Sequence, residues 1–220
     1  MVTPVKPSVE QLDDTRFQIG GVTFDKKSRE IRFPTQVNMV EGLLEYLIVH
    51  ENGKTHEALL TTKISPTNLN LAFSLLSYPP SRELYHVPTY AGEEPVIEPE
   101  VPAEVKSAAR VSIDVEWTED GKVRRIPVNE WIQHGVTATS MSAGPWVYGA
   151  SNFEDGKYTP EVTGDIAAIF LSNAAILNYP GDDNRNDDVW TPFLKRVPAE
   201  GTNVTVIIAP FKNAKPIPKP

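Results

Sequence analysis

Cysteine is absent from all 220 residues. That excludes disulfides, a thiol nucleophile and cysteine-ligated metals, and leaves the redox compartment open. Histidine is scarce, at four residues. Neither G-x-x-x-x-G-K-[ST] nor G-x-G-x-x-G occurs, so no loop is built to cradle phosphates. H-E-x-x-H is missing too, since His50-Glu51 and His56-Glu57 stand apart. No apolar run approaches the roughly 20 residues that span a bilayer as a helix; the longest, 166–171 and 204–209, are strand-sized. Basic charge is also in deficit, with 21 Lys and Arg against 29 Asp and Glu and a net charge of -8. This acidity disfavours nucleic acid and anionic membrane as partners. The opening MVTPVKPSVEQLDD lacks the apolar core of a signal peptide. It reads as an extended lead-in over 1–16, on a mature chain whose export signal has been trimmed.

What is present is a chain punctuated by 20 prolines and 13 glycines, with 40% hydrophobic and 23% charged residues. Such a composition suits a soluble domain with a sizeable core. FQIGGVTFD and REIRFP read as short strands around the turn DKKSR. ARVSIDVEW alternates through Val111, Ile113, Val115 and Trp117. Asp120-Gly121 then turns it back into KVRRIPV, a hairpin signal. Asn129 is placed to cap a short helical turn through Trp131 and Ile132. PWVYGASNF reads as a further strand, IAAIFLSN as a central strand covered on both faces, and TNVTVIIAP as the closing strand. Ser65-Pro66 opens a helix as N-cap and first position, with Leu69, Ala72, Phe73 and Leu76 as its apolar stripe. Asp187 is placed to cap a second helix over DVWTPFLKRV. Residues 79–104, dense in proline and glutamate, read as a loop or a partner-binding arm and as the most protease-sensitive internal segment. Residues 211–220 read as a solvated Pro/Lys tail.

The stretch HENGKTHEAL gathers two histidines and two glutamates. LLEYLIVH and THEALLTT flank Asn52-Gly53, which predicts a hairpin with a type I′ turn. Its register sets Val49 opposite His56 and sends His50 and His56 to opposite faces, so they cannot share a metal. His50 and Glu57 become diagonal neighbours within reach of a hydrogen bond that would tie the hairpin down.

Other site chemistries find only partial motifs in the sequence. In GDDNRNDD, Asp182, Asn184 and Asn186 match the first ligands of an EF-hand, but Asp187 stands where glycine is required and Phe193 where glutamate is required. The loop reads as a solvated acidic turn, with a non-EF calcium site as the sharper alternative. Gly149-Ala150-Ser151 begins like a nucleophile elbow, but Phe153 replaces the closing glycine and the last histidine, His134, precedes it. Carboxylate pairs need no sequence spacing and stay open. No catalytic, cofactor-binding or metal residue is assigned.

The block from Gly21 to Thr62, with Lys54-Thr55-His56-Glu57-Ala58 at its centre, resembles the opening of the YdjY-type domain of bacteria. IDVEWTEDGKVRRIPVNEWI, WVYGASNF and VPAEGTNVTVIIAP are similar to later parts of that family. The resemblance covers about residues 17–210, the extent assigned to one domain. It implies an exported or envelope-associated protein and carries over no catalytic residues. The expected fold is mainly β, an immunoglobulin-like or related sandwich with two or three short peripheral helices. The expected function is a non-catalytic envelope or cell-surface module that binds a protein partner or assembles with itself, as in a pilus-like or adhesive structure. A carboxylate-based hydrolase acting on carbohydrate is the alternative.

Overall fold

Strands here are short because turn residues interrupt them, and several bury alternate side chains. Along Ile31–Val37, the residues Ile31, Phe33, Thr35 and Val37 are buried while Pro34 and Gln36 are exposed. The computed structural model describes residues 8–85 and 99–212. Its first half carries β1 (Val9–Gln11), β2 (Arg16–Ile19), β3 (Val22–Asp25), β4 (Ile31–Val37), β5 (Tyr46–His50), β6 (Ala58–Thr62) and helix α1 (Pro66–Leu75). Then come α2 (Ala103–Ala108), β7 (Arg110–Glu119), β8 (Lys122–Pro127), β9 (Ile132–His134) and β10 (Trp146–Tyr148). The chain ends through β11 (Phe153–Glu154), β12 (Lys157–Tyr158), α3 (Thr159–Thr163), β13 (Asp165–Ala168), β14 (Leu177–Asn178), β15 (Trp190–Pro192) and β16 (Asn203–Pro210).

The main sheet runs β4-β16-β7-β10-β14-β13-β5-β6, and β6 pairs back onto β4 through Gln36↔Thr61 and Val37↔Leu60. That pairing closes an eight-stranded barrel. The expected immunoglobulin-like sandwich is therefore incorrect. A barrel and a sandwich share the same two-residue alternation along each strand. They differ in whether one remote pairing joins the edges, and local pattern does not carry that. Two strands serve both the barrel and an outgrowth. The start of β4 pairs with β3, which continues into β2 and β1. The end of β7 pairs with β8, while its start pairs with β10. The expected extended lead-in is thus a strand from Val9, already within the β-structure.

One contiguous core joins Ile31, Phe33 and Val37 of β4 to Val111, Ile113 and Val115 of β7 and to Val204, Val206 and Ile208 of β16. Helix α1 forms as expected: Ser65 Oγ accepts from the Asn68 N–H, and Leu69, Ala72 and Phe73 are buried. Burying a leucine or phenylalanine side chain contributes about 1.5–3 kcal/mol. Phe73 stacks on Tyr148 at 4.2 Å between ring centroids, which anchors the helix to β10. Among the described residues, no helix is long and apolar enough to cross a membrane.

Two local expectations fail. DVWTPFLKRV is not a helix: its residues 190–192 form β15 and pair with β9, Trp190 opposite His134. More consequentially, β5 and β6 do not form a hairpin. They run parallel, with Tyr46 opposite Ala58 and His50 opposite Thr62. The chain returns through residues 51–57, ending in a 3-10 turn at Thr55–Glu57. Seven residues span at most about 25 Å extended, against roughly 13 Å along four strand residues, so so short a link suffices. Within 79–104, residues 86–98 lie outside the described residues. The remainder is ordered structure: Ser81, Glu83 and Tyr85 are buried, and Ala103 opens α2. Glu83 pairs with Arg110 at 2.6 Å and Lys106 at 3.4 Å.

Candidate functional site

A second short crossover lies beside the first. β13 and β14 are also parallel, joined by residues 169–176, and β13 is the antiparallel neighbour of β5. The barrel wall therefore carries two adjacent crossovers, 51–57 and 169–176. Where they meet, Tyr46, Val49, Ala58, Ala168 and Ala175 form a small apolar cluster separate from the main core. The fit is close. An added Cβ at Gly164, just before β13, would lie 2.8 Å from Gly53 Cα, and one at Gly53 would lie 3.0 Å from the Thr163 carbonyl oxygen. Asn52-Gly53 thus serves a backbone-to-backbone contact; neither residue has the positive φ of a type I′ turn.

Polar groups converge on this junction. The Lys54 ammonium donates to Tyr46 Oη at 3.1 Å. Tyr46 donates to Asp165 Oδ2 at 3.1 Å, and Ser172 Oγ donates to the same oxygen at 3.2 Å. Asp165 Oδ1 is buried without a hydrogen-bond partner. Burial raises the Asp165 carboxyl above its ordinary pKa, outweighing the Tyr46 hydrogen bond and the Lys54 charge. Burial, with the Asp165 charge, also raises Tyr46. For Lys54 burial acts downward, but the Tyr46 oxygen and the Glu57 and Asp165 charges outweigh it and raise its pKa. The two ends of the chain Lys54–Tyr46–Asp165 differ because Lys54 keeps half its side chain in water, whereas Asp165 is 3% exposed. Nearby, burial and the Glu57 charge raise Glu45. Chemically, this arrangement ties two loops to one buried carboxyl.

The residues singled out in the sequence fall elsewhere. His50 Nδ1 accepts from the Asn52 N–H at 3.2 Å. The expected His50–Glu57 bond is not made; Glu57 lies 3.5 Å from Lys54 and 3.6 Å from the exposed His56. In GDDNRNDD, Asp183 reaches His134 at 3.4 Å and Asn184 donates to the Tyr179 carbonyl at 3.0 Å. Among the described residues, no three His, Asp or Glu side chains gather to hold a metal. Ser151 is buried and donates to the Ala174 carbonyl at 2.7 Å, so the elbow-like serine anchors the second crossover. Tyr85 adds a second anchor: its hydroxyl donates to the Ala175 carbonyl at 2.6 Å and accepts from the Ser151 N–H at 3.1 Å. Burial pushes its pKa up to about 12.

Sequence reasoning missed Tyr46, Lys54, Asp165 and Ser172. One signal was there: Asp165 is a lone charge opening the apolar run Ile166–Leu171. Two clefts of about 360 Å³ each lie elsewhere on the surface, one around Asp25, Glu30 and Arg32 and the other around Ser112, Arg125 and Phe211. No curated protein and no solved structure significantly matches the chain. The YdjY domain model matches residues 22–209, most of the sequence and the whole barrel, and the chain accordingly belongs to the YdjY domain family.

Proposed function

We propose that this chain is a non-catalytic envelope or cell-surface module that binds another protein, as a component of a pilus-like or adhesive assembly. The observation that carries the reading is the outer edge of β8. The barrel is closed, but among the described residues β8 pairs only with β7, and five of its six residues are exposed, Val123 at 69%. Such an edge accepts an added strand. Each net backbone hydrogen bond contributes about 0.5–1.5 kcal/mol, so a six-residue edge favours reversible docking reinforced by repetition in an assembly. The envelope location rests only on what resemblance to the family implies. The hydrolase alternative gains little from the clefts. Around Asp25 and Glu30, both acids are engaged: Asp25 accepts from Thr15, Lys27 and Ser28, and Glu30 pairs with Arg32 and Arg125.

The test is a proline scan of that edge. Counting from the two-residue turn at Asp120-Gly121, Val123 and Arg125 belong to the pairs whose N–H groups face away from β7. Pro127 already occupies the next such position. Val123→Pro removes an outward donor while sparing the β7–β8 ladder. Wild-type protein used as bait on envelope extract should retain a partner that Val123→Pro loses, with circular dichroism unchanged. The reading fails if both retain the same partner or neither retains any. It also fails if the purified chain cleaves a glycan panel and loses that activity when one carboxylate is replaced.

A further inference from the structure

The two crossovers are tied at a single carboxyl group. Ser172 reaches Asp165 Oδ2 from 169–176, and Lys54 reaches it from 51–57 through the Tyr46 hydroxyl. The tie is asymmetric. Oδ2 accepts two hydrogen bonds, whereas Oδ1 is buried with none. A neutral carboxyl suits this geometry better than an ionised one: Oδ2 keeps both donors, and a proton on Oδ1 removes the charge from the oxygen that has no partner. An ionised carboxyl leaves part of a negative charge on Oδ1, a buried oxygen with no hydrogen-bond partner among the described residues. A buried acceptor without a partner is costly, and a charged one more so. The groups facing Asp165 are few. Tyr46 faces it from β5, the hydroxyls of Thr163 and Ser172 lie alongside, and Lys54 is the cation that acts on it. Glu57, with Glu45 and His56 beside it, lies on the far side of Lys54 and draws on the same positive charge.

We propose that this junction is a proton-operated latch. With Asp165 neutral, the crossovers are held closed over Val49, Ala58, Ala168 and Ala175; with Asp165 ionised, they loosen while the barrel stays intact. The folded-state pKa of Asp165 lies above its unfolded value. The latch therefore contributes fully below the unfolded value, near 3.9, and its contribution is lost as pH rises through the folded value. The core that unites β4, β7 and β16 is a cluster separate from the one at the junction, so those three strands hold while the crossovers loosen.

Hydrogen exchange read residue by residue on the full chain, corrected for intrinsic rates, tests the latch between about pH 4 and about pH 8. Protection of amides in 51–57 and 169–176 should fall about tenfold. Amides of β4, β7 and β16 should hold steady. Asp165→Asn keeps an acceptor for Tyr46 and Ser172 but cannot ionise, so its protection should not vary with pH. Ser172→Ala removes a hydrogen bond that favours the ionised form. It should move the wild-type midpoint to higher pH, and it serves as the test if Asp165→Asn does not fold. Flat wild-type protection, an Asp165→Asn profile that follows wild type, or an unmoved midpoint in Ser172→Ala would each overturn the proposal.

Discussion

The contact between Gly53 and Gly164 separates two costs that usually arrive together. Gly164 has φ +83°, and an added Cβ would lie 2.8 Å from Gly53 Cα. Alanine there bears both the left-handed backbone penalty, about 1–2 kcal/mol, and an overpacking penalty against backbone that cannot rotate away, about 1–3 kcal/mol. Gly53 has no positive φ but meets the Thr163 carbonyl at 3.0 Å and Gly164 Cα at 3.2 Å, so Gly53→Ala bears only the packing cost. Gly121 supplies the complementary control, with φ +72° and open space around it. Gly121→Ala should bear only the backbone cost. Urea titrations of the three variants should rank Gly164→Ala as most destabilised, by about 2–5 kcal/mol, with each of the others below it. In a Gly53→Ala/Gly164→Ala double variant the costs should not add, since both methyls enter one gap. If Gly164→Ala costs no more than Gly121→Ala, the first crossover does not press against the turn between α3 and β13 as described, and the parallel β5–β6 arrangement loses its main support.

Two further outcomes follow from ion pairs and caps. Arg110→Met leaves the buried Glu83 carboxylate with only the longer Lys106 contact and should cost about 3 kcal/mol by chemical denaturation; a loss below about 1 kcal/mol would mean that water reaches Glu83. Glu161 caps α1 from another helix, accepting from Ser65 Oγ, the Thr67 N–H and Thr67 Oγ1 at 2.8–2.9 Å. Burial there acts upward, but these hydrogen bonds outweigh it and lower the Glu161 pKa. Its contribution is present above the unfolded carboxyl pKa and lost as pH falls through the folded value. Glu161→Gln should therefore lower thermal stability at neutral pH and narrow its gap from wild type in acid; an equal gap at both pH values would contradict the assigned role.

The same short signal succeeded once and failed once in this chain. Asp120-Gly121 has φ of 50° and 72°, and Glu119 stands opposite Lys122, as a two-residue hairpin requires. Asn52-Gly53 looked equivalent, yet its glycine serves a contact with residues more than a hundred positions away. Local sequence was decisive where the partner strand follows directly, as for β7 and β8, and where a cap and an apolar stripe agree, as in α1. It failed where a remote strand set the geometry. β13 claims one edge of β5, and β9 recruits Trp190–Pro192 into a strand despite a helical pattern. The junction at Asp165 was illegible for the same reason, since Tyr46 and Asp165 are 119 positions apart.

The place of β16 also fixes an order of events in time. It lies between β4 and β7, and Thr35 bonds to Val204 across 169 positions of sequence. Closing a loop of that length costs about 4–5 kcal/mol of chain entropy. At ribosomal speeds β4 emerges roughly 10–30 s before β16 exists. Throughout that interval β4 and β7 have edges that only the last strand can fill, and a closed wall is unavailable to the nascent chain. The β7–β8 hairpin can form locally in the meantime. The barrel itself can close only once β16 has been made, which gives a window in which a holding chaperone or a translocation machine would meet an open sheet.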